Sequence, residues 1–341
     1  MVHIALVATG GTIASRSGST AAGKVASSTA ASLVESLGTS RLPKGVSLTA
    51  HDAGTMNSYN LTLADARSIG RAIAGVLEDD DVAGVVVTHG TDTLEETAFL
   101  HDLTCGDPRP VVFTGAQQSN DTPGGGDGPG NIADAIAVAA HPASRGLGAL
   151  VVFSGQILPV RGVRKSDTFA AQPFSPVLGG PIGLVGGGMV YFWADPRPWV
   201  RLPAPGSGFD QLRIVSVINQ PGTPDGGQEI EAALERGADG VVILGSGAGN
   251  TSKPLVAGIE AARDAHVPVV LSTRVAHGHI RAVYGNGGAV DAVAQGAVLI
   301  WSVPFTQARL LLATLLDRYG PQGVMEHLGT FDRREGLWKP E

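Results

Sequence analysis

The chain has 341 residues, enough for two ordinary domains and a substantial buried core. Its formal net charge is -7 and no Lys/Arg cluster offsets it, which excludes a nucleic-acid partner or a large anionic ligand but not a small zwitterion. A single cysteine, Cys105, excludes an internal disulfide and a thiolate zinc site, and no apolar run reaches the roughly 18 residues that would cross a bilayer.

The N-terminal MVHIALVATGG lacks a basic lead-in, and its apolar run is too short for a secretion signal. A cytoplasmic protein with no membrane association is expected. The run at 2–8 is continuously apolar, the pattern of a strand covered on both faces in a parallel sheet. It ends in Thr9-Gly10-Gly11-Thr12-Ile13-Ala14. After Thr62, the residues Leu63, Ala66, Ile69, Ile73, Val76 and Leu77 keep a helical period, and Thr62 with Asp65 forms a capping-box pattern. A second strand at 84–88 runs into Thr88-His89-Gly90-Thr91-Asp92-Thr93. A third, at 110–114, runs into Gly115-Ala116-Gln117.

The segment at 122–130, TPGGGDGPG, is too glycine-rich for a regular element and reads as a loop. A further strand is expected at 148–153. The stretch 193–209, with four prolines, reads as the connection to a second domain. Beyond it, strands at 213–218, 240–244 and 267–272 alternate with helices at 254–266 and 306–319. This alternation indicates an α/β fold of two doubly wound, mostly parallel domains. The expected boundaries are 1–192 for a larger N-terminal domain, 193–212 for a linker, and 213–341 for a smaller, flavodoxin-like C-terminal domain.

Ligands of open parallel sheets bind beyond the carboxyl ends of the strands. Three successive strand ends here carry hydroxyls and glycines, so they should converge on one site. Gly10-Gly11 lets backbone N–H groups approach a ligand closely. A dinucleotide turn is disfavoured, because GGTIAS lacks the third glycine of GxGxxG and no Walker lysine follows. A hydroxyl needs a base to become a nucleophile, and His89 is adjacent. A histidine at a strand's end more often fixes the loop through a backbone bond, so Thr91, Asp92 and a distant lysine are the stronger candidates.

TGGTIA at 9–14 and HGTDTLEETA at 89–98 resemble the two signature motifs of bacterial-type L-asparaginases. The resemblance continues through Thr114-Gly115-Ala116, Asp127-Gly128-Pro129, Arg164-Lys165-Ser166, Ser175-Pro176 and Gly247-Ala248-Gly249-Asn250, nearly the whole chain. It implies hydrolysis of the side-chain amide of L-asparagine, with glutamine as a weaker substrate. It also implies covalent acyl-enzyme chemistry without metal or organic cofactor, in a homo-oligomer, either dimer or tetramer. By the same resemblance Thr12 corresponds to the family's nucleophilic threonine, and Thr91, Asp92 and Lys165 to its threonine-lysine-aspartate group. Gly11, Gly90 and Ala116 would contact the substrate through the backbone. Thr55, or alternatively Ser58, would bind the substrate α-carboxylate, and Asn250 would serve a neighbouring subunit's site. Either threonine could attack first.

Two features depart from the family pattern. Members place a tyrosine in the loop after the first motif, but 15–25 reads SRSGSTAAGKV, with Thr20 near that place and no tyrosine before Tyr59. Some members supply a glutamate from the adjacent subunit, yet none lies between Glu260 and Glu326. Tyr284, His277 and His279 occupy the stretch from which a replacement could come. These gaps leave two other readings: an amidase of broader or different amide preference, and an amino-acid-binding regulator without turnover. The retained Thr12, Thr91, Asp92 and Lys165 oppose the regulator. The acidic charge opposes a subunit that feeds ammonia to aminoacyl-tRNA.

Overall fold

The computed structural model describes residues 1–17, 24–26, 28–38, 41–119, 122, 126–196, 201–222 and 226–331. The chain forms two compact units, Met1–Ala204 and Pro205–Glu341. In the first unit the chain runs through β1 (Val2–Gly10), β2 (Ser15–Ser17), β3 (Lys24–Ala26), α1 (Ala30–Leu37), β4 (Val46–Met56), α2 (Leu63–Val76), β5 (Val82–Thr88), α3 (Leu94–Thr104) and β6 (Val111–Thr114). It continues through α4 (Gly128–Ala140), β7 (Ala149–Phe153), β8 (Gln156–Pro159), β9 (Val163–Lys165), β10 (Phe174–Pro176), β11 (Gly183–Gly186) and β12 (Met189–Phe192).

The main sheet has eight strands in the order β12-β11-β8-β7-β6-β5-β1-β4. From β4 to β7 all pairings are parallel, while β8, β11 and β12 add antiparallel strands at the other end. The parallel run begins at β1, moves outward to β4, then crosses back to β5 and proceeds to β6 and β7. That reversal leaves a crevice beyond the carboxyl ends of β1 and β5.

Side chains on both faces of the parallel strands are buried, which explains their unbroken apolar runs. Ile4 and Leu6 of β1, Val86, Val112 and Leu150 pack with Leu33 of α1 and Ile132 and Ile136 of α4. The intervening Ala5, Val7, Val85, Val87, Val111 and Phe113 are equally buried, with α2 and α3 on their side of the sheet. The capping box at the start of α2 forms in both directions between Thr62 and Asp65. α3 lacks an amphipathic stripe because most of its circumference is buried, from Leu94 and Glu95 through His101 and Leu103.

Three segments differ from the sequence expectation. The segment at 122–130 is not wholly a loop: Gly128-Pro129-Gly130 is the first turn of α4. A proline in the first turn costs no intrahelical hydrogen bond, since those N–H groups have no helical acceptor. β4 was not apparent in the sequence because VSLTAHDAGTM is an edge strand with one neighbour and no fully buried side chain. The loop at 15–25 is also more regular than expected, since its ends pair as the antiparallel β2 and β3. Thr20 lies outside the described residues.

The second unit contains β13 (Ile214–Ile218), α5 (Gly226–Glu235), β14 (Gly240–Gly245), α6 (Lys253–Asp264), β15 (Val269–Thr273), α7 (Ala289–Ala294), β16 (Val298–Leu299) and α8 (Phe305–Phe331). Its four strands are parallel in the order β13-β14-β15-β16, without reversal. Val241 and Ile243 face Ile230, Leu255 and Ile259 of α5 and α6, whereas Gly240 faces Leu312 of α8, so helices cover both faces. α8 breaks at Gly320 (φ 67°, ψ 179°) and resumes at Pro321, so its first part ends at Tyr319 as the periodicity predicts.

Candidate active site

Thr12 and Thr91 line one cavity of about 110 Å³, together with Gly11, Gly90 and Asp92 from the ends of β1 and β5 and with residues 57–59. Cavities for drug-sized ligands begin near roughly 300 Å³, so this one suits a much smaller molecule. The two strand ends meet backbone to backbone. A Cβ on Gly11 (φ 83°) would lie 2.4 Å from Cα of Gly90, and a Cβ on Gly90 would lie 2.4 Å from Oγ of Ser58. No side chain fits either position, and glycine alone permits the approach.

Thr91 is buried and hydrogen-bonded on two sides. Lys165 Nζ donates to Thr91 Oγ1 at 2.8 Å and to Asp92 Oδ1 at 2.7 Å. Thr91 Oγ1 in turn donates to Gln117 Oε1 at 3.2 Å. Lys165 reaches this point because β9 pairs with β10, placing Lys165 opposite Phe174, and because its backbone N–H donates to the buried Glu95 carboxylate on α3. Asp92 is half exposed, so its ion pair with Lys165 adds little stability and serves to fix position.

Thr12 opens a short 3-10 turn, Thr12–Ala14, after β1. Among the described residues its hydroxyl has no hydrogen-bond partner. The Gly11 N–H donates to Met56 O, so it is committed to the fold rather than free for a ligand. Among the described residues the N–H groups of Thr91 and Asp92, just before α3, have no acceptor.

His89 is fully buried, with Nδ1 2.8 Å from Gly90 O and, among the described residues, no hydrogen-bond partner for Nε2. Burial pushes its pKa down to about 4, partly opposed by the Gly90 contact. It is a neutral imidazole that holds the loop. The structural reading of His89 therefore accounts for it without a catalytic role.

Thr55 does not come to the cavity. The β1–β4 register is regular to Asp52 and resumes only at Met56, and the extra residues 53–55 bulge out with Thr55 exposed. Ser58 lines the cavity instead, because Thr93 Oγ1 donates to Ser58 O at 2.9 Å and ties the 57–60 turn to the start of α3. Of the two residues offered for the substrate carboxylate, Ser58 thus lines the cavity and Thr55 does not. Ala116 is buried at the end of β6 and does not line the cavity. From that strand end it is Gln117 that reaches Thr91.

Asn250 belongs to the second unit, in the turn after β14, where its Oδ1 accepts from Ala289 N at 3.4 Å. Tyr284, His277 and His279 are exposed in the same unit. Residue-by-residue reading singled out neither Gln117 nor Glu95. Both stood inside motifs already quoted, but a partner of a catalytic hydroxyl has no distinguishing sequence signal. Among the described residues no group of three or more His, Cys, Asp or Glu is arranged to hold a metal, and no helix is long and apolar enough to cross a membrane.

The family model described as "Asparaginase, N-terminal" matches residues 3–197, and "Glutaminase/Asparaginase C-terminal domain" matches residues 223–326. The chain belongs to the asparaginase family. It is 34% identical to the L-asparaginase of Bacillus licheniformis over 322 residues, 93% of this chain and 96% of that one. It is 37% identical to the probable L-asparaginase of Deinococcus radiodurans over 324 residues, 92% and 93% of the two chains. A crystal structure of a probable cytoplasmic L-asparaginase from Campylobacter jejuni superposes with a TM-score of 0.83 at 26% identity, over 96% of this chain and 99% of that one. Membership in the asparaginase family thus extends over both units, while the described hydroxyl, lysine and carboxylate cluster lies in the first.

Proposed function

We propose that this asparaginase-family chain hydrolyses the side-chain amide of L-asparagine to L-aspartate and ammonia, through an ester on Thr12. The observation that carries this reading is a small cavity lined by both Thr12 and Thr91, with Lys165 and Asp92 bonded at its edge. Thr12 Oγ1 attacks the amide carbon, the C–N bond breaks, and the hydroxyl proton leaves with ammonia. Water then attacks the ester carbon, the C–Oγ1 bond breaks, and a proton returns to Thr12. Thr91, Asp92 and Lys165 handle the protons, and the N–H groups of Thr91 and Asp92 serve the carbonyl oxygen as negative charge develops. Ser58 anchors the α-carboxylate.

The test is ammonia release from L-asparagine by wild type, Thr12→Ala and Thr91→Val, with mass spectrometry of the quenched enzymes. Both variants should lose turnover, and Thr91→Val should retain a substrate-derived adduct on the peptide carrying Thr12. An adduct on Thr91 in Thr12→Ala would reverse the assignment, and full activity in both variants would remove the mechanism.

A glutaminase-asparaginase is the second reading, favoured by the combined description of the C-terminal family model. One methylene separates the two substrates and discriminates modestly, so a steady-state comparison of the amides decides it. The lone Cys105 and the likeness to the Campylobacter protein support a cytoplasmic location. We also infer a homo-oligomer, with Asn250 serving a neighbouring site, which size-exclusion chromatography and turnover by Asn250→Ala would check.

A further inference from the structure

Gln117 is bound on three sides, and no part of the proposed chemistry uses it. Its backbone N–H donates to Asp127 Oδ2 at 3.0 Å, and the neighbouring Gln118 N–H donates to Asp127 Oδ1 at 2.8 Å. Asn131 of α4 donates to Gly115 O at 2.9 Å, so the whole turn after β6 is pinned to the start of that helix. At the far end of the side chain, Nε2 donates to Thr168 O at 3.1 Å and Ala170 O at 3.2 Å. Those two carbonyls are themselves held, because Asp167 Oδ1 accepts from Phe169 N at 2.8 Å and Ala170 N at 2.7 Å. An amide nitrogen facing two carbonyls fixes the orientation of the group, since a flipped amide would oppose oxygen to oxygen. Oε1 is thereby aimed at Thr91.

A threonine hydroxyl has one proton and two lone pairs. Lys165 Nζ donates to one lone pair of Thr91, and the proton goes to Gln117 Oε1. One lone pair remains, and Thr91 lines the cavity. We propose that Gln117 is a positioning residue of the reaction: by holding the Thr91 hydroxyl proton, it makes Thr91 present an acceptor to the cavity. The group that an acceptor suits is a donor of the substrate or attacking water, namely the amide N–H or the water O–H. Without Gln117 the Thr91 hydroxyl rotates and can point its own proton into the cavity, opposing those donors. The inference rests on the amidase reading above and adds a residue to it.

The alternative is that Gln117 braces only the 168–170 turn. A kinetic cycle over Gln117→Leu, Thr91→Val and the double variant separates the two, with residual rates taken as single turnovers at excess enzyme. If Gln117 acts through the Thr91 hydroxyl, Gln117→Leu lowers kcat by about 10- to 100-fold with KM within about threefold, yet costs nothing further once Thr91 is valine. Gln117→Glu keeps an oxygen for the Thr91 proton and, when protonated, a donor for the Thr168 and Ala170 carbonyls, so its kcat relative to wild type at the same pH should recover as pH falls and drop once the carboxylate ionises against those carbonyls. Losses that multiply in the double variant would overturn the proposal, as would a Gln117→Glu as slow as Gln117→Leu at every pH, or a Gln117→Leu within about twofold of wild type. No ammonia from wild type with either asparagine or glutamine would remove the amidase reading itself, and the positioning role with it.

Discussion

The ends of β1 and β5 carry the same chemistry, a threonine hydroxyl beyond a parallel strand, in opposite states. Thr91 is buried and bonded to Lys165 and Gln117, on a turn that leads straight into α3. Thr12 sits in a single 3-10 turn, with no hydroxyl partner among the described residues. A hydroxyl whose proton and one lone pair are both assigned is suited to moving protons along a fixed line. One left unassigned is suited to forming a bond to an incoming carbon. The difference thus supports the division of labour proposed above.

The largest effect is expected from Lys165→Met, which unties Thr91 while leaving Thr12 as it is. Turnover should fall by about 10²- to 10⁴-fold, the range of a lost proton-transfer group, with KM little changed. Retention of wild-type kcat would show that wiring at Thr91 has no bearing on the reaction. Next comes Gly90→Ala, which forces the two strand ends apart through Gly11 and Ser58. An approximately 10- to 100-fold loss of kcat is expected, since a misplacement near 1 Å costs about that much. Thermal melting would show whether folding falls with it.

Substrate anchoring offers a smaller and more selective test. Ser58→Ala should raise KM for asparagine by roughly tenfold, the scale of one hydrogen bond to a charged group, with kcat nearly unchanged. Thr55→Ala, on the exposed bulge of β4, should alter neither parameter. The reverse outcome would return the carboxylate contact to Thr55.

The smallest expected effect concerns stability and pH. Burial depresses both His89 and His101 to about 4 in the folded chain, with Arg201 adding to the shift at His101. The unfolded chain binds these protons below its ordinary value of about 6.5, so their contribution is complete above that pH and is lost as pH falls toward 4. Asp134, raised by burial to about 6, has the opposite sign, because the folded chain takes its proton first and gains stability below pH 6. The melting temperature should therefore fall as pH drops from about 7 toward 4, less steeply below pH 6, where Asp134 offsets one of the two histidines. His101→Gln should shrink that drop by a few degrees at most, and an unchanged melting profile would refute burial as its source.

Legible from the residues were the α/β class, the strands at 2–8, 84–88 and 110–114, the capping box at Thr62, and the motifs carrying Thr12, Thr91, Asp92 and Lys165. These were legible because strands buried on both faces must be continuously apolar and because strand ends collect ligand-binding residues. β4 was hidden, since an edge strand need not be apolar, and the first turn of α4 was hidden behind glycines and a proline. Tertiary structure alone decided that Lys165 meets Thr91, which is 74 residues away in sequence. It also put Ser58 rather than Thr55 at the cavity, through a register shift in β4, and it disclosed Gln117 behind Thr91. Strand pattern is a local property of composition, whereas a hydrogen bond between distant side chains depends on register, turns and the packing of α3 and α4. A sequence records the first directly and the second only after it has folded.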